Sequence, residues 1–258
     1  MLNAPIRDWK GRRVWLIGAS SGIGHALAKA LIARGAKVAV SARNGAALHE
    51  LAASTRPANV LPLPLDATRI DQLEAALREM TDAWGGIDVA IFLQGTHEPV
   101  RAWTLDSAVA HRLVDTNLLS VLDSLAVVLP QMLRQGSGGI AICSSVAGYR
   151  GLPTSLVYGA TKAALINLAE TLYLDLSPRG IGVWIVNPGF VRTPLTDRNE
   201  FPMPALISAD EAATHIVEGL ASGRFEIHFP KRFTRWLRLL RLLPYGLYFR
   251  LVRRFTGL

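Results

Sequence analysis

The chain has 258 residues, half of them apolar, with ordinary glycine and proline content (22 and 14), which excludes a fibrous or disordered protein and fits one large core. A single cysteine, Cys143, excludes an intrachain disulfide and suits a reducing, cytoplasmic setting. The formal net charge of +8 sits wholly at the C-terminal end: from Arg224 onward nine Lys and Arg face one acid, Glu226, while the preceding body holds equal numbers of each sign. Net charge therefore says nothing about partners of the body.

Residues Met1 to Arg13 mix Asn3, Pro5, Arg7, Asp8 and Lys10 and contain no apolar h-region, so no signal peptide is expected. The first apolar run, Val14–Ile17, reads as a strand. It leads through Ile17-Gly18-Ala19-Ser20-Ser21-Gly22-Ile23-Gly24 into an amphipathic stretch, His25–Arg34. Small residues at such a turn let the backbone approach a pyrophosphate, which a helix N-terminus attracts; a plain strand-to-helix turn is the alternative. The spacing is G-x-x-x-G-x-G rather than G-x-G-x-x-G. Gly18, Ser20, Ser21, Gly22, Ile23 and Gly24 are the candidate cofactor contacts here.

A second strand, Lys37–Ser41, ends in Ala42 and Arg43. An acid at this place holds a ribose 2′-OH, whereas a basic residue suits a 2′-phosphate, so Arg43 points to NADP(H) over NAD(H), with Ser41 an extra donor. After the third strand, Val60–Pro64, Asp66 is either a partner for an adenine amino group or the cap of the helix Ile70–Trp84. The fourth strand, Ile87–Phe92, precedes a long helical pattern, Leu105–Leu133, in which Asp123 and Pro130 interrupt the apolar run from Leu118. No stretch of about 18 uninterrupted apolar residues occurs. Strands Gly139–Cys143, Gly182–Val186 and Phe225–Phe229 alternate with helices Ser155–Leu176 and Ala209–Ser222. Near-continuous apolar strands alternating with helices predict a single-domain α/β fold, a doubly wound (Rossmann-like) parallel sheet of about seven strands covered on both faces.

Tyr158 and Lys162 stand four residues apart on a helical stretch and so share a face. A free phenol titrates near 10 and is a poor acid–base catalyst at neutral pH. An ammonium about 4 Å away, at an effective dielectric near 20, supplies roughly 4 kcal/mol, or about three pKa units, which would bring the phenol near neutrality. Ser145 lies thirteen residues earlier, where the fifth strand ends at the ligand-binding edge of such a sheet, with Ser144 as its competitor.

In these residues and their order the chain resembles the short-chain dehydrogenase/reductase family from about Arg12 to Phe229. The resemblance rests on Gly18-Ala-Ser-Ser-Gly22-Ile-Gly24, Asn117, Ser144-Ser145-Val-Ala-Gly148, Tyr158-Gly-Ala-Thr-Lys162 and Asn187-Pro188-Gly189 with Thr193. It implies that Ser145 polarises a substrate carbonyl and that Tyr158 gives or takes the proton. It further implies that Lys162 grips the nicotinamide ribose, that Asn117 holds a water linked to Lys162, and that Pro188, Gly189 and Thr193 line the nicotinamide. The segment from Pro194 to Pro204 would be a substrate lid, and Leu195, Phe201, Met203 and Leu206 point to an apolar small-molecule substrate. The expected activity is hydride transfer between NADP(H) and a carbonyl or secondary alcohol carbon, by a homo-oligomer and without a metal. A cofactor-sensing protein on the same scaffold is the alternative; such proteins tend to lose the Tyr or Lys that this chain retains. One departure stands out: where the family carries Asn-Asn-Ala-Gly, this chain has Phe92-Leu93-Gln94-Gly95, so only Gly95 is kept and the adenosine side must be built differently. His97, just beyond, is within a loop's reach of the substrate mouth but reads as incidental.

Beyond the catalytic domain, 1–229, residues 230–258 form a basic amphipathic tail. Arg232, Arg235, Arg238 and Arg241 recur every third residue among Phe233, Trp236 and five leucines. A second run then carries Arg250, Arg253 and Arg254 beside Tyr248, Phe249 and Phe255. Two readings stay open: peripheral contact with an anionic membrane surface, or docking on the protein's own body or a second subunit. Nucleic acid is not expected, because the basic residues come with leucines rather than a base-reading motif.

Overall fold

The structure, a computed structural model of the chain, describes residues 1–55, 57–197 and 203–256. Seven strands form one parallel sheet: β1 (Arg13–Ile17), β2 (Lys37–Ser41), β3 (Val60–Pro62), β4 (Val89–Phe92), β5 (Gly138–Cys143), β6 (Ile181–Pro188) and β7 (Glu226–Phe229), in the spatial order β3-β2-β1-β4-β5-β6-β7. Their side chains alternate between two cores. Val14 and Leu16 of β1 face one side, and Trp15 and Ile17 the other, all essentially inaccessible. Helices α1 (Gly22–Ala33), α2 (Gly45–Ala53) and α7 (Ala209–Ser222) cover the first side through Leu27, Leu31, Leu51 and Ile216. The second is covered by α3 (Ile70–Trp84), α5 (Ser120–Gln135) and α6 (Leu156–Leu176) through Leu73, Leu125 and Leu165. Burial on both faces is why the strands read as unbroken apolar runs.

The long helix expected over Leu105–Leu133 is not one regular helix. It comprises α4 (Ser107–Val114), a π-helical turn over Asp115–Leu119, and α5. By length and hydropathy the combined run Ser107–Gln135 would pass for a membrane span, yet it lies against the sheet. The wider π turn carries Asn117 inward, where its amide donates to the Thr96 carbonyl (2.9 Å) and accepts from the Thr96 N–H (2.7 Å). A periodicity of 3.6 cannot reveal such an extra residue, and π turns of this kind gather at functional sites. Helix α2, at nine residues, is too short to establish an amphipathic period in the sequence.

At the opposite end of the sheet from the cleft, the Arg13 guanidinium grips Asp88 at 2.6 and 3.1 Å, and the Arg13 N–H donates to the same carboxylate. Burial opposes ionisation of Asp88, but these hydrogen bonds win and hold its carboxyl below the usual range. Asp88→Asn is expected to lower the unfolding free energy by about 1–3 kcal/mol at neutral pH. Because the folded pKa is depressed, this stabilisation is present above the unfolded carboxyl value and fades as pH falls through the folded one. Thermal melts of both proteins at neutral and acid pH check it: a gap that does not narrow in acid contradicts the assignment.

The tail forms α8 (Lys231–Arg241) and α9 (Tyr245–Thr256) and packs on the body. Thr234 and Tyr248 are buried, and Phe233 and Leu237 join the core beside α6. Of the two readings left open, docking on the chain's own body is observed for the inner face.

Candidate active site

Strand order reverses between β1 and β4, and the loops leaving their carboxyl ends diverge there to open a crevice, the place where open α/β sheets bind ligands. A cleft of ≈ 1320 Å³ occupies it. Gly18, Ser20 to Gly24, Arg43, Asp66, Gly95, Ser145, Tyr158, Lys162, Pro188, Gly189 and Thr193 line this cleft; Asn117 lies behind it, fully buried.

The glycine loop is built for close approach. Gly18 sits at φ +96, and a Cβ there would fall 2.7 Å from the backbone of Leu93 and Gln94 on β4's exit; a Cβ on Gly24 would run into the Gly18 carbonyl. Over the same loop, Thr193 would lie 2.8 Å from a Cβ on Gly22. Ser21, the N-cap of α1, makes no side-chain cap bond, and the first turn holds no acid. The α1 N-terminus therefore directs its positive end into the cleft with no carboxylate in its own first turn to answer it. This cradle fits a dinucleotide pyrophosphate.

At the far end of the cleft Arg43 is exposed and close enough to Asp66 to help lower its pKa; the largest cause is the backbone N–H of Thr68, which donates to the Asp66 carboxylate at 3.0 Å. Ser41, expected as an extra donor beside Arg43, is instead fully buried and accepts from the Trp15 indole at 2.9 Å. As the last residue of β2 its side chain points into the core beneath, since side chains alternate along a strand. Gln94, the departure from the family pattern, borders the cleft but is also buried: its amide N–H reaches Ser124 (3.4 Å), while its side-chain carbonyl oxygen is buried without a hydrogen-bond partner. A Cβ on Gly95 would lie 3.3 Å from the Asn117 side chain and 3.4 Å from the Lys162 ammonium, a close but not forbidden approach.

The chemical end of the cleft is held by contacts between the Ser144–Gly148 loop and α6. Ser144 donates to the Lys162 carbonyl at 2.7 Å, and a Cβ on Gly148 would lie 2.7 Å from that same carbonyl group. Ser144 is thereby a loop support, and Ser145 is the hydroxyl left at the cleft, close enough to the Tyr158 phenol to act on its pKa. Tyr158 and Lys162 do share one face of α6, with the ammonium 5.7 Å from the phenol ring centre. The near-neutral pKa expected for the phenol from the i, i+4 spacing is not what the geometry of this pair supports. Burial pushes Tyr158 up to about 12 against the lowering effect of Ser145. Lys162, itself lowered by burial, directs its ammonium at the Cys143 carbonyl (3.0 Å) rather than at the phenolic oxygen. His97, read as incidental, stands edge-on to Tyr158 with ring centres 4.7 Å apart.

Sequence reasoning missed a second set of residues. Glu226 accepts from Tyr149 (2.5 Å) and Asn187 (2.9 Å) and pairs with Arg238 of α8 (3.4 Å), so one carboxylate ties the Ser145 loop, the Asn187-Pro188-Gly189 loop and the tail together. Burial and then the Glu226 carboxylate keep the Tyr149 phenol protonated far beyond its ordinary range. No linear spacing could expose a set drawn from residues 149, 187, 226 and 238. Of the lid, Leu195 lines the cleft, and its base is pinned by the Ile207 N–H donating to the Phe190 carbonyl (3.1 Å) and the Arg192 N–H to Ile207 (2.8 Å). Phe201 lies outside the described residues.

Fold and cleft together define a doubly wound α/β oxidoreductase. The short chain dehydrogenase family model matches residues 12–202, and the chain belongs to that family. It is 34% identical to an uncharacterized oxidoreductase of Myxococcus xanthus over 245 residues, covering 94% of this chain and 97% of that one. A short-chain dehydrogenase from Sphingobium yanoikuyae in complex with NADPH is 30% identical with a TM-score of 0.79, covering 88% of this chain and 92% of that one. A Burkholderia phymatum short chain dehydrogenase/reductase in complex with NAD shares the fold at 24% identity and a TM-score of 0.79, with coverage of 91% and 94%.

Proposed function

We propose that the protein is an NADP(H)-dependent oxidoreductase acting on the carbonyl or secondary alcohol carbon of an apolar small molecule. The observation that carries this reading is the Ser145–Tyr158–Lys162 cluster facing the Gly18–Gly24 cradle across one cleft. The nicotinamide, when bound, supplies or accepts the hydride. Gly18, Ser20, Ser21, Gly22, Ile23 and Gly24 would hold the pyrophosphate, Arg43 and Asp66 the adenosine end, and Pro188, Gly189 and Thr193 the nicotinamide side. Lys162 would grip the ribose, and Asn117 holds Thr96 and the rear of the cleft in register. Ser145 donates to the substrate oxygen, and the Tyr158 phenol, protonated at neutral pH, delivers the proton as that oxygen gains charge. Leu195 at the cleft wall supports an apolar substrate. Self-association belongs to the same reading and is supported by the exposed Leu119, Leu122 and Leu133 along the α5 side. The free Cys143 supports a reducing, cytoplasmic setting.

Following NADPH absorbance across a panel of ketones and aldehydes tests the activity; no consumption with any carbonyl, by protein that binds NADPH, would return the reading to a cofactor sensor. Arg43→Ala tests the cofactor. Loss of a charge-assisted hydrogen bond to a 2′-phosphate is worth roughly 1.5–3 kcal/mol, so NADPH affinity should fall about tenfold to a hundredfold with NADH unchanged. Equal losses for both nucleotides would remove the 2′-phosphate role.

A further inference from the structure

The strands are parallel, so β7 delivers the chain at Phe229 to the same end of the sheet as Ser145, Tyr158 and Pro188, and α8 begins at the rim of the cleft. The two tail helices are clamped there from the inside. Phe233 packs on Phe190, ring centres 5.5 Å apart, directly behind Gly189. Arg150, just past the Ser145 loop, donates to the carbonyls of Leu240 (3.0 Å) and Leu243 (2.6 Å) and lies over the rings of Tyr245 and Tyr248 at 4.7 and 4.2 Å. Tyr248 donates to the Gly151 carbonyl at 2.6 Å. Such a clamp fixes which face of each helix is turned outward.

That outward face is both apolar and cationic. Trp236 is 70% exposed, Leu242 79%, Phe249 53% and Phe255 79%, and among them stand the exposed Arg232, Arg235, Arg241, Arg250, Arg253 and Arg254. No acidic residue follows Glu226. A partner for this surface must bury hydrocarbon and carry negative charge at once. A second copy packed isologously would set the same arginines against each other with no carboxylate to answer them. Nucleic acid answers the charge but leaves leucines and phenylalanines against phosphate. A fluid anionic bilayer satisfies both, with arginines at the headgroups and Trp236, Leu242, Phe249 and Phe255 at the acyl boundary.

We infer that the outer face of α8 and α9 is a docking surface for anionic lipid membranes, placed at the rim of the cleft so that the carbonyl substrate reaches Tyr158 from the lipid phase. The substrate clause rests on the proposed reductase; the docking surface does not. Each arginine brought to an anionic surface is worth about fivefold in partitioning, so attachment is steep in charge and screened by salt.

Flotation of the full chain with phosphatidylcholine vesicles, with and without phosphatidylglycerol, separates the cases. Binding to the anionic vesicles should exceed binding to neutral ones at least about tenfold and fall in high salt. Brominated lipid in the anionic vesicles should quench tryptophan fluorescence, and Trp236→Phe should remove that quenching while leaving the thermal melt unchanged, since Trp236 is exposed. Equal binding to both vesicle types, none to either, or quenching that survives Trp236→Phe overturns the docking surface. So does light scattering in which Trp236→Ser splits a dimer, which would assign the face to a second copy. Because vesicle binding is read without turnover, an inactive panel with intact flotation rejects the reductase alone.

Discussion

Replacing Tyr158 by Phe is expected to leave NADPH affinity unchanged and to lower turnover about 10²–10⁴-fold, the range a positioned proton donor contributes. The substitution removes one oxygen, and the ring keeps its place against His97 and the Lys162 stem. Cofactor titration by fluorescence and turnover on any accepted carbonyl read the two halves separately. Turnover within a few-fold of the parent protein would mean that another group carries the proton. The same phenol sets the pH dependence. Burial raises it to about 12, so it holds its proton throughout the neutral range. Carbonyl reduction, which uses the acid form, should run flat from neutral to mildly alkaline pH. Alcohol oxidation, which needs the phenolate, should rise about tenfold per pH unit below the phenol's pKa. Any group that lowers the phenol on binding moves the end of that rise toward neutrality without changing its sign. An oxidation rate that falls with rising pH would exclude Tyr158 as the titrating group.

Gly18→Ala is expected to weaken NADPH and NADH binding together by more than about a hundredfold. Two costs coincide at this position: a left-handed backbone conformation and a Cβ placed 2.7 Å from the Leu93 and Gln94 backbone. Since β4 cannot yield without disturbing its pairing with β1, the glycine loop must shift, taking Ser20 and Ser21 with it. Calorimetric titration with each nucleotide, beside a thermal melt confirming a folded protein, checks the result. A folded variant with ordinary affinity would show that the loop does not carry the pyrophosphate. Gly18→Ala thus strikes both nucleotides alike, whereas Arg43→Ala separates them.

Much of the fold was legible because burial on both sides of a parallel sheet writes unbroken apolar runs into the chain. All seven expected strands overlap an observed one, with shifts of up to two residues at the ends. The motifs were legible for a related reason. Gly18, Gly22 and Gly24 act over seven residues, and Tyr158 and Lys162 over one helical turn, so their geometry is a property of a single local segment. Where reading failed, the cause was long range. The π turn at Asn117 depends on Thr96, twenty-one residues away, and the hydroxyl that strand alternation turns inward at Ser41 is satisfied by the indole N–H of Trp15 on a neighbouring strand. Likewise, the i, i+4 spacing placed Lys162 beside Tyr158 but could not reveal the Cys143 carbonyl that draws the ammonium aside.

By itself, then, the amino-acid order determined the sheet, the glycine cradle, the residue types of the proposed catalytic cluster and the amphipathic character of the tail. Each is encoded in contacts a few residues long or in a repeating period. Only the tertiary structure decided how strongly the phenol holds its proton, which hydroxyl of the serine pair reaches it, and which face of the tail is spent on Arg150 and Glu226. Those depend on burial and on partners tens of residues distant, and the free energies that settle them arise only when separate segments exclude water from one another.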